Sequence, residues 1–213
     1  MIFGFLIFPG LEELDLVGPW EIINAWRRFA EGPEKCIMIA EKPEPLTCSN
    51  GMVIVPHVVF QDCPQLDFLL IPGGEGTRKE VDNPALIKFV SDQAKGCKAA
   101  LSVCTGAFIL HRAGLLKNRR ATTHQCSLQR LRDLGDVQVV EDRVVKDENI
   151  WTSAGISAGI DMALAFIAHT AGEKAAGRVQ FITEYYPATQ SYGGVHELPQ
   201  APLYVKNWPE VSR

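Results

Sequence analysis

The 213-residue sequence carries no large excess of charge: 21 Lys and Arg stand against 25 Asp and Glu, a net of −4. So even a balance gives no bulk field to draw the chain onto DNA or an anionic membrane. No apolar run approaches the roughly 18 residues that a spanning helix needs. The N-terminal stretch Met1 to Phe8 ends at Pro9-Gly10 with no basic segment before it, so it reads as a buried strand rather than a signal peptide. No CxxC pair occurs among Cys36, Cys48, Cys63, Cys97, Cys104 and Cys126, which excludes the usual zinc spacing. Phosphate-binding GxGxxG and GxxxxGK[ST] stretches are also absent. There is no internal repeat, low-complexity tract or linker. The expectation is a soluble, cytoplasmic, single-domain protein with no membrane or nucleic-acid partner.

What is present suits a globular core. Hydrophobic residues make up 46% and charged residues 22%, too apolar for a disordered chain. The six thiols are too few for their chain length to be a disulfide scaffold. Either they are mostly reduced packing residues, or one of them has a task.

Along the chain, short apolar strands alternate with amphipathic helices. Pro19 is expected to open a helix with Ile22, Trp26 and Phe29 on one face. Strands are expected at Lys35 to Ala40, Met52 to Val55, Asp67 to Ile71, Ala99 to Val103, Ala121 to His124 and Val137 to Val145. Between them fall helices after Asn83-Pro84, from Thr105 to Gly114 and from Leu128 to Leu134; Ser157 to Thr170 and Glu173 to Tyr185 close the series. This alternation implies an α/β fold with a mostly parallel sheet and helices on both faces. One domain covers residues 1–186. A proline-punctuated tail, 187–213, reads either as a mobile appendage or as an arm that packs on a partner subunit, and its Leu203, Tyr204 and Trp208 favour packing.

The chemistry gathers at three strand ends. Cys104 follows the run Ala99 to Val103 and precedes Thr105-Gly106, the pattern of a strand-to-helix elbow that exposes a nucleophile. A helix start there is expected to lower the thiol pKa, although a small buried cysteine is the plainer reading. Pro72-Gly73-Gly74-Glu75-Gly76 ends another strand, and the bare amides of Gly73 and Gly74, with that of Thr105, could hold developing negative charge or a water. Asp15, set between Leu14 and Leu16, is either a helix cap or a carboxyl group in an apolar setting with a raised pKa.

Several segments together resemble the ThiJ/PfpI superfamily of flavodoxin-like cysteine proteins, and within it the isonitrile (isocyanide) hydratases. They are Gly4 to Pro9, Leu14 to Pro19, Ile71 to Gly74, Ser102 to Gly106, Arg120 to His124 and Gly159 to Asp161. The resemblance implies a flavodoxin-like three-layer sandwich and a homodimer. It implies Cys104 as nucleophile, Asp15 as the adjoining carboxyl group and Thr105 as the polar neighbour. The implied reaction hydrates an isonitrile to an N-substituted formamide through a thioimidate, a small-molecule conversion that needs no metal, nucleotide or flavin. Some branches of the superfamily carry a histidine after the cysteine, where this chain has Thr105. His124, which matches a histidine near the nucleophile of relatives, is the candidate substitute for it and a candidate for binding substrate or oxyanion, and is equally readable as a hydrogen-bonded residue at a strand end. Pocket walls are sought in Trp20, Trp151 or the tail. The same elbow also resembles the sensor half of AraC-type regulators, but no basic recognition helix follows. A non-catalytic small-molecule or redox sensor using Cys104 is the alternative reading.

Overall fold

A computed structural model describes residues 1–187 and 194–207. In chain order the elements are β1 (Ile2–Leu6), α1 (Glu13–Phe29), β2 (Lys35–Ala40), β3 (Leu46–Thr47), β4 (Val53–Ile54) and β5 (Val58–Val59). Next come β6 (Phe68–Ile71), α2 (Thr77–Glu80), α3 (Pro84–Gly96), β7 (Ala99–Val103), α4 (Gly106–Arg112) and β8 (Arg120–Ala121). The chain continues through α5 (Leu128–Arg132), β9 (Gln138–Val139), β10 (Val144–Asp147), β11 (Ile150–Ser153), α6 (Ala158–Ala171), α7 (Glu173–Ile182) and α8 (Leu203–Lys206).

Seven strands make one sheet in the order β10-β11-β7-β6-β1-β2-β5. Neighbours run parallel except β10 against β11. Every residue of β6, β7 and β11 is buried, as strands covered on both faces must be. Helices α1, α6 and α7 pack together as one layer, and α2, α3 and α4 as the other. The Phe166 ring of α6 meets Phe3, Trp26, Phe68 and Trp151 edge-on at 5.1–6.3 Å. Each such pair is worth about 0.5–1.5 kcal/mol beyond its buried area. Trp151 is therefore core, not pocket wall; Trp20 packs between Phe5 and His57.

From β1 the chain moves outward to β2, then returns across β1 to β6. Open α/β sheets bind ligands at the carboxyl ends of the strands beside such a reversal. Asp15, Gly73 and Cys104 all follow strands at that edge.

Several boundaries differ from expectation. Helix α1 starts at Glu13, so Pro19 lies inside it. The lost N–H leaves the Asp15 carbonyl without its usual helical donor, but Leu16, Ile22, Ile23 and Trp26 are all at most 3% exposed, and that burial outweighs one bond. The expected Met52 to Val55 strand shrinks to β4, which pairs with β3 outside the main sheet because a turn at Ser49 to Gly51 folds it back. The Ala121 to His124 strand stops at Ala121. Beyond it the Thr122 N–H bonds to Thr152 Oγ1 and the Thr123 hydroxyl to Cys104 O, replacing a ladder. The segment Val137 to Val145 breaks into β9 and β10. The last long helix, expected to reach Tyr185, ends at Ile182. Of the tail, Trp208 and residues 188–193 lie outside the described residues. No helix among those described is long and apolar enough to cross a membrane.

Candidate active site

The elbow is real and strained. Cys104 has φ +56°, in the left-handed region where a side chain costs about 1–2 kcal/mol. The surroundings hold it there. Its N–H is shared between Ser153 O and Ala154 O, both at 3.2 Å. Its carbonyl accepts the Thr123 hydroxyl at 2.7 Å. Gly106 is required by contact: a Cβ there would lie 2.4 Å from Ile71 O. The side chain that results is 7% exposed.

Asp15 sits in the first turn of α1, wholly buried. It does not cap the helix, because Glu12 occupies that position. Its Oδ2 accepts the Gly73 N–H at 2.9 Å, while Oδ1 has no hydrogen-bond partner among the described residues other than the neighbouring Cys104 thiol. Burial pushes this carboxyl up to about 7, helped by the Glu12 charge and opposed by the Gly73 N–H. The apolar-setting reading of Asp15 is the one the geometry supports.

The thiol departs from expectation. Burial, followed by the Asp15 charge, pushes Cys104 up to about 12. Donors from Thr105, both its N–H and its hydroxyl, pull the other way without prevailing. The sequence pattern shows the helix start but not the low-dielectric setting around it. A resident thiolate is thus disfavoured, and the first proton to leave the pair belongs to Asp15.

Gly73 and Gly74 also act differently from free amides. The Gly73 N–H is occupied by Asp15, and the Gly74 N–H donates to Thr105 Oγ1 at 3.0 Å. Together they hold the acid and the hydroxyl beside Cys104. A Cβ on Gly73 would meet Thr105 N at 2.6 Å and both Asp15 Oδ2 and Cys104 Cβ at 2.8 Å. Glycine is there because these three groups converge on it. Thr77, buried and without a sequence motif, completes the arrangement: its hydroxyl donates to Gly74 O at 2.7 Å and lies 3.0 Å from Thr105 Oγ1.

His124 lies against Gly155, next to Ala154, whose carbonyl accepts the Cys104 N–H. Its Nδ1 accepts the Cys126 N–H at 3.2 Å, capping a short turn. No hydrogen bond joins it to Cys104 or Asp15. Burial lowers its pKa, with the Glu12 charge pulling the other way. Asp161 is spent on Arg143 and Tyr185 at 2.6 and 2.9 Å. All six cysteines are unpaired thiols.

The DJ-1/PfpI family model matches residues 4–169. The chain belongs to that family. In this DJ-1/PfpI protein the match spans β1 to α6, and therefore all three strand ends that build the site. The chain is 39% identical over 186 residues to an isonitrile hydratase of Pseudomonas putida, a match covering 87% of this chain and 78% of that one. A crystal structure of a ThiJ/PfpI family protein from Pseudomonas syringae superposes with a TM-score of 0.83 at 32% identity, covering 92% of this chain and 79% of the other. A glutathione-independent glyoxalase of Caenorhabditis elegans is 26% identical over 149 residues, 69% of this chain and 79% of its own length. The family thus houses more than one activity.

Proposed function

We propose that the chain hydrates isonitriles to N-substituted formamides, with Cys104 as nucleophile and Asp15 as the proton carrier. The observation that carries this reading is the buried Asp15 carboxyl, pushed up to about 7, whose Oδ1 has no partner among the described residues except the Cys104 thiol. A carboxyl group in that condition gives and takes a proton near neutrality. An isonitrile carbon needs both services, because it accepts a nucleophile and a proton at the same atom.

The steps balance. The thiol proton passes to the Asp15 carboxylate as sulfur bonds to the terminal carbon, and Asp15 then delivers that proton to the same carbon, leaving a thioimidate. Water adds to the carbon, with Asp15 taking one of its protons and the nitrogen gaining one. The tetrahedral intermediate collapses as the C–S bond breaks, the formamide carbonyl forms and a proton returns to sulfur. Thr105 supports sulfur whenever it carries negative charge, through the same N–H and hydroxyl that oppose its raised pKa. The sum is one isonitrile plus one water giving one formamide, a hydro-lyase reaction run in the hydration direction. The 39% identity to an isonitrile hydratase supports the same reading.

A redox-sensing role fits less well. Peroxide reacts with accessible thiolates, and Cys104 is 7% exposed with its thiol pushed up to about 12. The test is an assay of wild type and Cys104→Ala against a panel of small alkyl and aryl isonitriles, following formamide. Turnover by wild type that disappears in Cys104→Ala is expected; no hydration of any isonitrile by wild type rejects the function while leaving the fold intact.

A further inference from the structure

Two sets of residues meet at Cys104. Asp15, Gly73 and Thr105 converge on its side chain. Its main chain is held by a different set, drawn from the end of β11 and the segment after β8. The Thr123 hydroxyl donates to Cys104 O at 2.7 Å, and the Cys104 N–H is shared between Ser153 O and Ala154 O at 3.2 Å. Both main-chain groups of the nucleophile are therefore fixed by residues outside the acid–thiol pair.

This second set is itself locked together. The Thr122 N–H donates to Thr152 Oγ1 at 2.9 Å, which ties the segment after β8 to β11. One residue beyond Thr123, the His124 ring lies flat against the chain at Gly155. A Cβ there would collide with Cδ2 and come within 2.9 Å of Cγ and 3.0 Å of Nε2. The Cys126 N–H, donated to Nδ1 at 3.2 Å, orients the ring from its other edge. Thr123 is wholly buried, so its loss leaves the Cys104 carbonyl with no replacement donor. A left-handed residue that carries a side chain persists only where its surroundings over-determine it, and Cys104, at φ +56°, is such a residue.

We propose that Thr123 and His124 are positioning residues, which together clamp the main chain of Cys104 in its left-handed turn and so hold the thiol against the Asp15 carboxyl. Thr123 fixes the carbonyl of Cys104. His124 fixes the 154–155 segment that takes the Cys104 N–H. Neither passes a proton to the substrate, and the His124 ring acts through its shape. The effect of the clamp on turnover rests on the hydration reading; the clamp itself does not, and the experiment separates the two.

Alkylation of Cys104 by iodoacetamide at pH 8 is followed by peptide mass spectrometry, in each protein with and without Asp15→Asn. In the otherwise wild-type chain, Asp15→Asn should slow alkylation about tenfold, because Asp15 takes the thiol proton. In Thr123→Val, which keeps the shape of the side chain and loses the donor, the same change should alter the rate by less than about twofold. Thr123→Ser, which keeps the hydroxyl, should restore most of the coupling. His124→Ala should lose it as Thr123→Val does. His124→Asn keeps an acceptor for the Cys126 N–H and an atom against Gly155 without a titrating ring, and should recover most of what His124→Ala loses. Thermal unfolding followed by circular dichroism establishes that each variant is folded at the assay temperature. In the hydration assay, Thr123→Val should lower kcat about tenfold with KM changed less than about twofold, and Thr123→Ser should restore kcat. An Asp15 effect as large in folded Thr123→Val as in wild type, no Asp15 effect in wild type, or a serine variant that rescues nothing overturns the clamp. A His124→Asn variant as impaired as His124→Ala overturns the shape role of the ring. Coupled alkylation in a protein that hydrates no isonitrile leaves the clamp standing and removes only the hydration reading.

Discussion

Replacing Asp15 by asparagine should stabilise the protein at alkaline pH while stopping the reaction. In the folded chain the Asp15 pKa rises from 3.8 to about 7. At about 1.4 kcal/mol per tenfold change in proton affinity, that rise is worth about 4 kcal/mol. The sign follows from which state holds the proton. Below 3.8 the carboxyl is neutral folded or unfolded, so its ionisation costs nothing. Between 3.8 and 7 the unfolded chain releases the proton and the folded chain keeps it, so stability falls as pH rises. Above 7 the folded protein carries the whole cost of a buried charge. Asparagine is neutral throughout and still accepts the Gly73 N–H, giving up about 1 kcal/mol by losing a charged acceptor. The difference between Asp15→Asn and wild type should therefore grow by about 3 kcal/mol in favour of the variant from pH 4.5 to pH 8. Urea unfolding of both proteins at each pH measures it. The carboxylates held low, Asp67 and Asp92 among them, are common to both proteins and cancel. The thiol of Cys104 is raised from 9.0 to about 12, so its own contribution begins only above the range tested. A difference that stays flat with pH, or one favouring wild type at pH 8, refutes the buried-carboxyl argument.

Three further outcomes follow from the same geometry. Because the reaction starts with Asp15 as carboxylate, kcat/KM for hydration should climb about tenfold per pH unit below 7 and level off above it, and a profile flat from pH 5 to 8 contradicts that role. Thr105→Val removes a donor to sulfur and strands the Gly74 N–H, so kcat/KM should fall about 10- to 100-fold, with Thr105→Ser restoring most of it; a valine variant of wild-type activity removes Thr105 from the account. Gly73→Ala drives a Cβ between Asp15 Oδ2, Thr105 N and Cys104 Cβ. It should cost about 1–3 kcal/mol in thermal unfolding and most of the turnover, and an unchanged melting temperature with full activity would show that the three groups are not so tightly converged.

Much of this site can be read in the residues, and the limits of that reading have physical causes. The Ala99 to Val103 run followed by Cys104-Thr105-Gly106 announces its elbow locally, since a buried strand, a tight turn and a helix start are all short-range features. Asp15 announces itself by being out of place between two leucines. Its helix boundary is misread because Pro19 is a strong local signal for a first turn, while the reason the helix begins earlier is tertiary burial of Leu16 and its neighbours. The thiol pKa is misread for a related reason. A helix start is visible in sequence, whereas desolvation by residues far apart in the chain is not. The Thr77 and Thr123 hydroxyls touch groups 28 and 19 residues away and have no local pattern to mark them. Strand β11, buried at every position between β7 and β10, escapes notice because four residues beside a charged turn give too short a period. The tail shows only its aromatics, and no motif marks Glu141, whose carboxylate accepts the Leu203 N–H.

The central claim is that an isonitrile becomes bonded to Cys104 in a step that needs the Asp15 carboxylate. Rapid acid quench of the protein during turnover of a small alkyl isonitrile, followed by peptide mass analysis, tests it directly. The Cys104 peptide of wild type should gain the mass of one isonitrile, and Asp15→Asn should show that gain far more slowly. Formamide produced at the wild-type rate by Cys104→Ala, or an adduct that maps to Cys126 instead, contradicts the account.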